Sequence, residues 1–168
     1  MRNLAFCAVV SLALLVASSS AVSSAPMSSG MDSMLFMVGT WRCESQGPAM
    51  KGVTSTYTFT RDADQHVISY EGKSKEVDYL GYLGYSQKSK MLMNPSVDSA
   101  GGYGTESSPG WDGNKSVWTG TYANGPSGKP MQVRDRYTNV GGTKLIDESQ
   151  TMKDGAWSTF VTFVCTKS

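Results

Sequence analysis

The sequence predicts an all-β protein: a single closed antiparallel up-and-down (meander) β-barrel of about ten strands with a short N-terminal helical turn. Three observations carry this expectation. Short stretches that alternate apolar with polar residues recur at roughly 8–12-residue spacing after Val38, with no helix of ordinary length among them. Gly39-Thr40-Trp41 opens the first stretch. Cysteines then stand in the first and the last, Cys43 and Cys165. A bond between them would tie the first strand to the last, which favours a barrel over a two-sheet sandwich.

The chain has 168 residues, room for one domain behind a leader but not for two domains with proper cores. Arg2 followed by the apolar run Leu4–Val16 and by Ser19-Ser20-Ala21 has the form of a secretory signal, and the run is too short for a stable bilayer span. The expected division is a signal peptide over 1–21, a flexible leader over 22–31 and the barrel over 32–168. Such a chain is expected in the periplasm or outside the cell. Cys7 would leave with the signal, so the two remaining cysteines pair most simply with each other. Closing a loop of about 120 residues is worth on the order of 4–5 kcal/mol in the chain-entropy model.

The formal net charge is +1, and loss of Arg2 brings it to about zero. No basic block is present, which argues against nucleic acid and against an anionic membrane surface.

Taken in order, Met34 to Val38 make an apolar turn, capped by Asp32 or Ser33, that closes one barrel end. Met27, Met31, Met34 and Met37 recur at near-helical spacing. Exported methionines can bind Cu(I), but filling an irregular apolar plug is the favoured reading. Gly39–Ser45 is the first strand. In the second, Val53, Ser55, Tyr57 and Phe59 alternate with Thr54, Thr56, Thr58 and Thr60, so one face is wholly threonine and faces out. After the Arg61–Asp64 turn, 65–72 returns. Over 76–86, Val77, Tyr79, Leu83 and Tyr85 share one face while Leu80 and Tyr82 share the other. Further strands are expected at 90–94 and at the glycine-rich 101–105. Residues 108–113 have turn chemistry, with Trp111 an unusual member. Strands then follow at 116–122, 131–140, 143–152 and 156–166. Gly141-Gly142 reads as a two-residue hairpin turn, which places Arg136 opposite Asp147 and Asp135 opposite Glu148.

Phe36-Met37-Val38-Gly39-Thr40-Trp41, the Leu-Gly-Tyr stretch over Tyr79–Tyr85, Trp118-Thr119-Gly120-Thr121 and Gly128-Lys129-Pro130 before Val133-Arg134 together resemble the calycin superfamily of lipocalin-like barrels. The likeness is nearest to an uncharacterised bacterial family of secreted lipocalin-like barrels known only as a domain of unknown function. That resemblance covers most of the mature chain and implies a fold without an activity. Fatty-acid-binding proteins insert two helices after the first strand, for which Gln46–Lys51 is too short. Haem-binding barrels of the nitrobindin type need a late axial histidine, and the lone His66 comes early.

The function expected is therefore binding of a small, mostly apolar molecule, with Tyr57, Phe59, Tyr79, Tyr85, Trp118 and Tyr122 as wall residues. Arg134 is the candidate anchor for a ligand carboxylate. The plainer view of the Arg134–Arg136 group is a charged outer face, with Met131, Val133 and Tyr137 pointing inward. Two readings compete with the carrier. One is a barrel enzyme using Arg134, Asp135 or Glu148 for acid–base work, with at least one displaced carboxylate pKa. The other is an envelope-interaction protein that binds a partner on the outer threonine face. His66 reads as a solvated strand-end residue. No catalytic triad, zinc site or other cofactor site can be assembled from the sequence.

Overall fold

The computed structural model describes residues 29–47, 50–62, 66–125 and 128–168. The signal peptide over 1–21, Met27 and most of the leader lie outside the described residues. Ten strands close into an antiparallel up-and-down barrel: β1 (Gly39–Gln46), β2 (Thr54–Arg61), β3 (Val67–Ser74), β4 (Asp78–Ser86), β5 (Met91–Asp98), β6 (Tyr103–Ser108), β8 (Lys115–Ala123), β9 (Met131–Val140), β10 (Lys144–Lys153) and β11 (Ala156–Lys167). β7 (Trp111–Asp112) is a two-residue strand added against the start of β8. Each strand pairs with its neighbour in sequence; β6 pairs β8 and β1 pairs β11 to close the ring. No described helix is long and apolar enough to cross a membrane.

The seam between β1 and β11 sets Cys43 directly opposite Cys165, and the two form a disulfide. Parity follows from the same register. Trp41, Cys43 and Ser45 face inward while Arg42, Glu44 and Gln46 face out. Across β2 the threonines 54, 56, 58 and 60 are all exposed, the expected outer face. On β4, Tyr79, Leu83 and Tyr85 turn in, leaving Leu80 and Tyr82 exposed.

Three local expectations are revised. β5 runs past Asn94 through Pro95 to Asp98. Pro95 sits on the outer face and lacks an N–H, and the β4–β5 ladder is interrupted at Tyr82 and Leu83, opposite Pro95 and Asn94, resuming in the same register beyond. The β9–β10 connection is one residue longer than a two-residue hairpin: Gly141, Gly142 and Thr143 form the turn, Gly141 and Gly142 both at positive φ, and Val140 pairs with Lys144. The register slips by one, so Arg136 lies opposite Glu148 in an exposed 3.2 Å ion pair and Asp135 lies opposite Ser149. Finally, the helical turn starts earlier than Asp32: α1 covers Ser29–Asp32, and a single 3-10 turn follows over Leu35–Met37.

These two turns plug the end of the barrel where β1 begins. Met31 and Met34 are fully buried, and Met37 is buried beside them. Gly30 lies against the Tyr85 ring so closely that a Cβ there would overlap it. Trp41 Nε1 donates to the Met37 carbonyl at 2.7 Å, Trp111 Nε1 donates to Met34 Sδ at 3.2 Å, and Lys167 Nζ donates to the Phe36 carbonyl at 2.7 Å. Phe36 packs edge-on against both Trp41 and Trp111. The out-of-place tryptophan in the 108–113 turn thus has a structural task, since it latches the plug. Met31, Met34 and Met37 fill the plug, as their polarizable, adaptable side chains suit.

Candidate functional site: an acid-belted chamber inside the barrel

An eight-stranded barrel is just wide enough for its own side chains to fill, and ten strands make a wider ring. Here the interior holds a cavity of about 640 Å³. It begins beneath Met34, Met37 and Trp41 at the plug and reaches the loop residues Met50, Ala100 and Asn124 at the other end, which is its mouth.

The cavity survives among so many aromatic rings because of paired glycines. Tyr57 stands opposite Gly72, Tyr70 opposite Gly81 and Tyr122 opposite Gly104. A Cβ on any of these glycines would come within 2.3, 2.3 and 2.7 Å of the facing ring, respectively. Each tyrosine therefore lies flat on the bare backbone of the next strand, against the wall instead of across the lumen. Tyr57 also stacks with Tyr79 and with Phe59, and Phe59 packs on Tyr70, so the rings form one continuous side of the chamber.

Of the wall residues expected from the sequence, Tyr57, Phe59, Tyr79, Trp118 and Tyr122 line the cavity. Tyr85 does not; its ring supports Gly30 in the plug. Arg134 is not on the cavity either. It lies on the opposite parity of β9, where its Nε donates to Gln150 Oε1 at 2.7 Å and its guanidinium sits 4.5 Å over the Trp157 ring. Glu148 is likewise outside, paired with Arg136. Asp135 departs from the charged outer face expected for its neighbours: it shares odd parity with Val133 and Tyr137 and lines the cavity. His66 is exposed just before β3.

Three carboxyls that the sequence leaves scattered meet inside: Glu106 from β6, Asp135 from β9 and Asp147 from β10. Gly120 separates the first two across the sheet. It stands opposite both Glu106 and Val133, and with no side chain there the Glu106 and Asp135 carboxyls lie close enough to interact. Asn94 stands beside Glu106 on one side, and its Oδ1 accepts from the Tyr70 hydroxyl at 3.0 Å. Ser149 stands beside both Asp135 and Asp147 on the other. The result is a polar belt running from β3 to β10 through an otherwise apolar chamber.

Asp135 and Asp147 both line the chamber and are half-buried. Removal from bulk water penalises the charged form of each group. Burial, reinforced by Asp135, pushes Glu106 up to about 9. Burial raises Asp135 above its ordinary range and, with the nearby Asp135 and Glu106 charges, raises Asp147 well above it. Burial also pushes the Tyr57, Tyr70 and Tyr137 hydroxyls up, so all three stay neutral. Burial thus favours the protonated, hydrogen-bonding form throughout the belt, and Glu106 keeps its proton at neutral pH. Among the described residues the cavity lining includes no Lys, Arg or His.

The mouth behaves differently. Partial burial pushes Asp98 up, but hydrogen bonds from the Tyr122 hydroxyl and from the Gly102, Ala100 and Gly101 amides outweigh it and hold this carboxyl below its ordinary range. Asp98 thus remains an anion at the entrance. No described group of three or more His, Cys, Asp or Glu has the arrangement of a metal site.

The sequence offered a signal for Asp135 and for Asp147, since each alternates in period two with apolar neighbours, Val133 and Tyr137 for one and Leu145 for the other. Glu106 alternates with Gly104 and Ser108, and that pattern names no core face. No protein-family model matches the chain, and no curated protein matches it.

Proposed function

We propose that this protein is an exported, lipocalin-like barrel that encloses one small, mostly apolar molecule. The observation that carries the reading is the chamber of about 640 Å³, walled by aromatic rings and reaching an open end. A concave, largely apolar site with a few convergent polar groups is the usual form of a small-molecule site. The Cys43–Cys165 disulfide and the Leu4–Val16 run support a secreted or periplasmic setting. An enzyme reading retains one of its three residues on the chamber, Asp135, because Arg134 and Glu148 lie outside.

Nile red, a neutral dye that brightens in apolar surroundings, tests the reading. It is expected to bind one to one with saturable fluorescence. Val133→Trp, which sends an indole into the chamber, is expected to weaken binding by at least about tenfold, since overfilling a defined volume is strongly disfavoured. Val117→Trp, on the exposed outer face of β8, is expected to leave it unchanged. Equal binding by all three proteins would place the dye on the surface and overturn the carrier.

A further inference from the structure

We propose that the chamber is built for an organic cation, a substituted ammonium on an aromatic or aliphatic body, whose head is seated among Glu106, Asp135 and Asp147. This inference rests on the carrier reading and gives its ligand a chemical class.

The lining carries four carboxyl groups, Asp98, Glu106, Asp135 and Asp147, and among the described residues no basic side chain to offset them. A ligand carboxylate or phosphate would meet acids wherever it turned. Independently of that count, Asp147, which faces the chamber, has its buried Oδ1 without any hydrogen-bond partner, and the buried Oε1 of Glu106 is in the same condition. Buried acceptors are almost always matched, and an unmatched one marks a place where something else is expected to donate. An ammonium supplies both the donors and the charge. The wall adds to this: the π faces of Tyr57 and Tyr70 beside the belt attract a cation and its alkyl substituents alike. Asp98, ionised at the mouth, draws the same charge inward.

Proton linkage follows. In the empty belt Glu106 holds its proton at neutral pH, and burial favours the neutral form of Asp135 and Asp147. An arriving ammonium favours the ionised form, so binding expels a proton from the belt to solvent, and affinity rises with pH. The groups that face the belt from the packed strands are Tyr57 of β2, Tyr70 of β3, Tyr79 of β4, Asp98 of β5, Tyr122 of β8 and Tyr137 of β9. The tyrosines are all raised and stay neutral, while Asp98 stays ionised. Of the groups facing the chamber, the belt carboxyls are therefore the ones from which an arriving cation can expel a proton. Loading would be favoured in neutral or alkaline surroundings and release in acid.

The test uses the full mature chain and three probes of closely similar shape: phenethylammonium, which has N–H donors and stays cationic at both pH values, its neutral carbon isostere propylbenzene, and the anion hydrocinnamate. Each competes with bound Nile red at pH 6 and at pH 8. The ammonium is expected to displace the dye at a concentration at least about tenfold below that of propylbenzene at pH 8. Its affinity should rise between the two pH values, approaching about tenfold per pH unit for one released proton. Hydrocinnamate should fail to compete. In Glu106→Gln/Asp135→Asn/Asp147→Asn, isosteric at all three sites and checked for folding by circular dichroism, the charge preference and its pH dependence should disappear. Equal or better competition by the neutral or anionic probe overturns the inference while leaving a carrier. So does bound dye that none of the three displaces, and so does a preference that survives in the triple variant. Absence of dye binding in the unsubstituted protein overturns the carrier and the inference together.

Discussion

Replacing Cys43 and Cys165 with serine is expected to lower the free energy of unfolding by about 4–5 kcal/mol, the chain-entropy value for a closed loop of this length. The bridge spans 122 residues, nearly the whole of the barrel, and it lies on the seam where the last strand meets the first. Without it the unfolded chain regains the freedom of both ends, while the native state keeps its β1–β11 ladder and loses only the cross-link. Domains of this size are stable by about 5–15 kcal/mol, so the loss is a large fraction of the total. Urea unfolding under non-oxidising conditions checks it: the serine variant and the reduced parent should show the same lowered midpoint. A variant as stable as the oxidised parent would mean that the ladder alone holds the seam.

Stability should also fall as pH rises, which is the reverse of what paired surface carboxylates give. In the unfolded chain Glu and Asp release their protons near pH 4. In the folded barrel Glu106 holds its proton up to about 9, with Asp135 and Asp147 raised beside it. Across that window the native state binds more protons than the unfolded state, so the stabilisation is complete below about pH 4 and is lost as pH climbs through the folded-state values. Each group contributes a slope of about 1.4 kcal/mol per pH unit, so even one costs about 4 kcal/mol between pH 5 and pH 8. Thermal melts across that range should show a falling Tm. Glu106→Gln/Asp135→Asn/Asp147→Asn should flatten the profile and melt higher than the parent at pH 8. A parent profile that rises with pH would show that the belt is ionised and compensated in the empty protein.

The outline of the barrel was legible because its causes are local. Threonines at every second position of β2 can only be one face of a strand, and Met131–Val140 emerges with its expected bounds. The Cys43–Cys165 pair was legible because setting Cys7 aside with the expected signal left only two candidates. What stayed hidden depends on register between distant strands. Tyr57 over Gly72 and Tyr70 over Gly81 are sequence-remote pairs whose meaning, an aromatic ring held off the lumen, exists only once the strands are aligned. The one-residue difference at Gly141–Thr143 moved every predicted pairing of the β9–β10 hairpin. It replaced an imagined contact of Asp135 with Glu148 by the observed Asp135–Ser149 pair. Asp135 was concealed by its neighbours: Arg134 and Arg136 suggested a charged outer surface, although strict alternation sends the residue between them inward. Glu106 was concealed by distance, since its partners lie 29 and 41 positions further along the chain, at 135 and 147.

A crystal structure of the protein soaked with Nile red tests most directly whether the interior of this barrel is a ligand chamber or a packed core. Dye density is expected inside the ring, in contact with Tyr57 and Tyr70 and within reach of the Asp135–Asp147 belt, with the plug of Met31, Met34 and Met37 undisturbed. Side chains of Tyr57, Tyr70 and Phe163 folded together across the lumen, with the dye on the outer face, would contradict it.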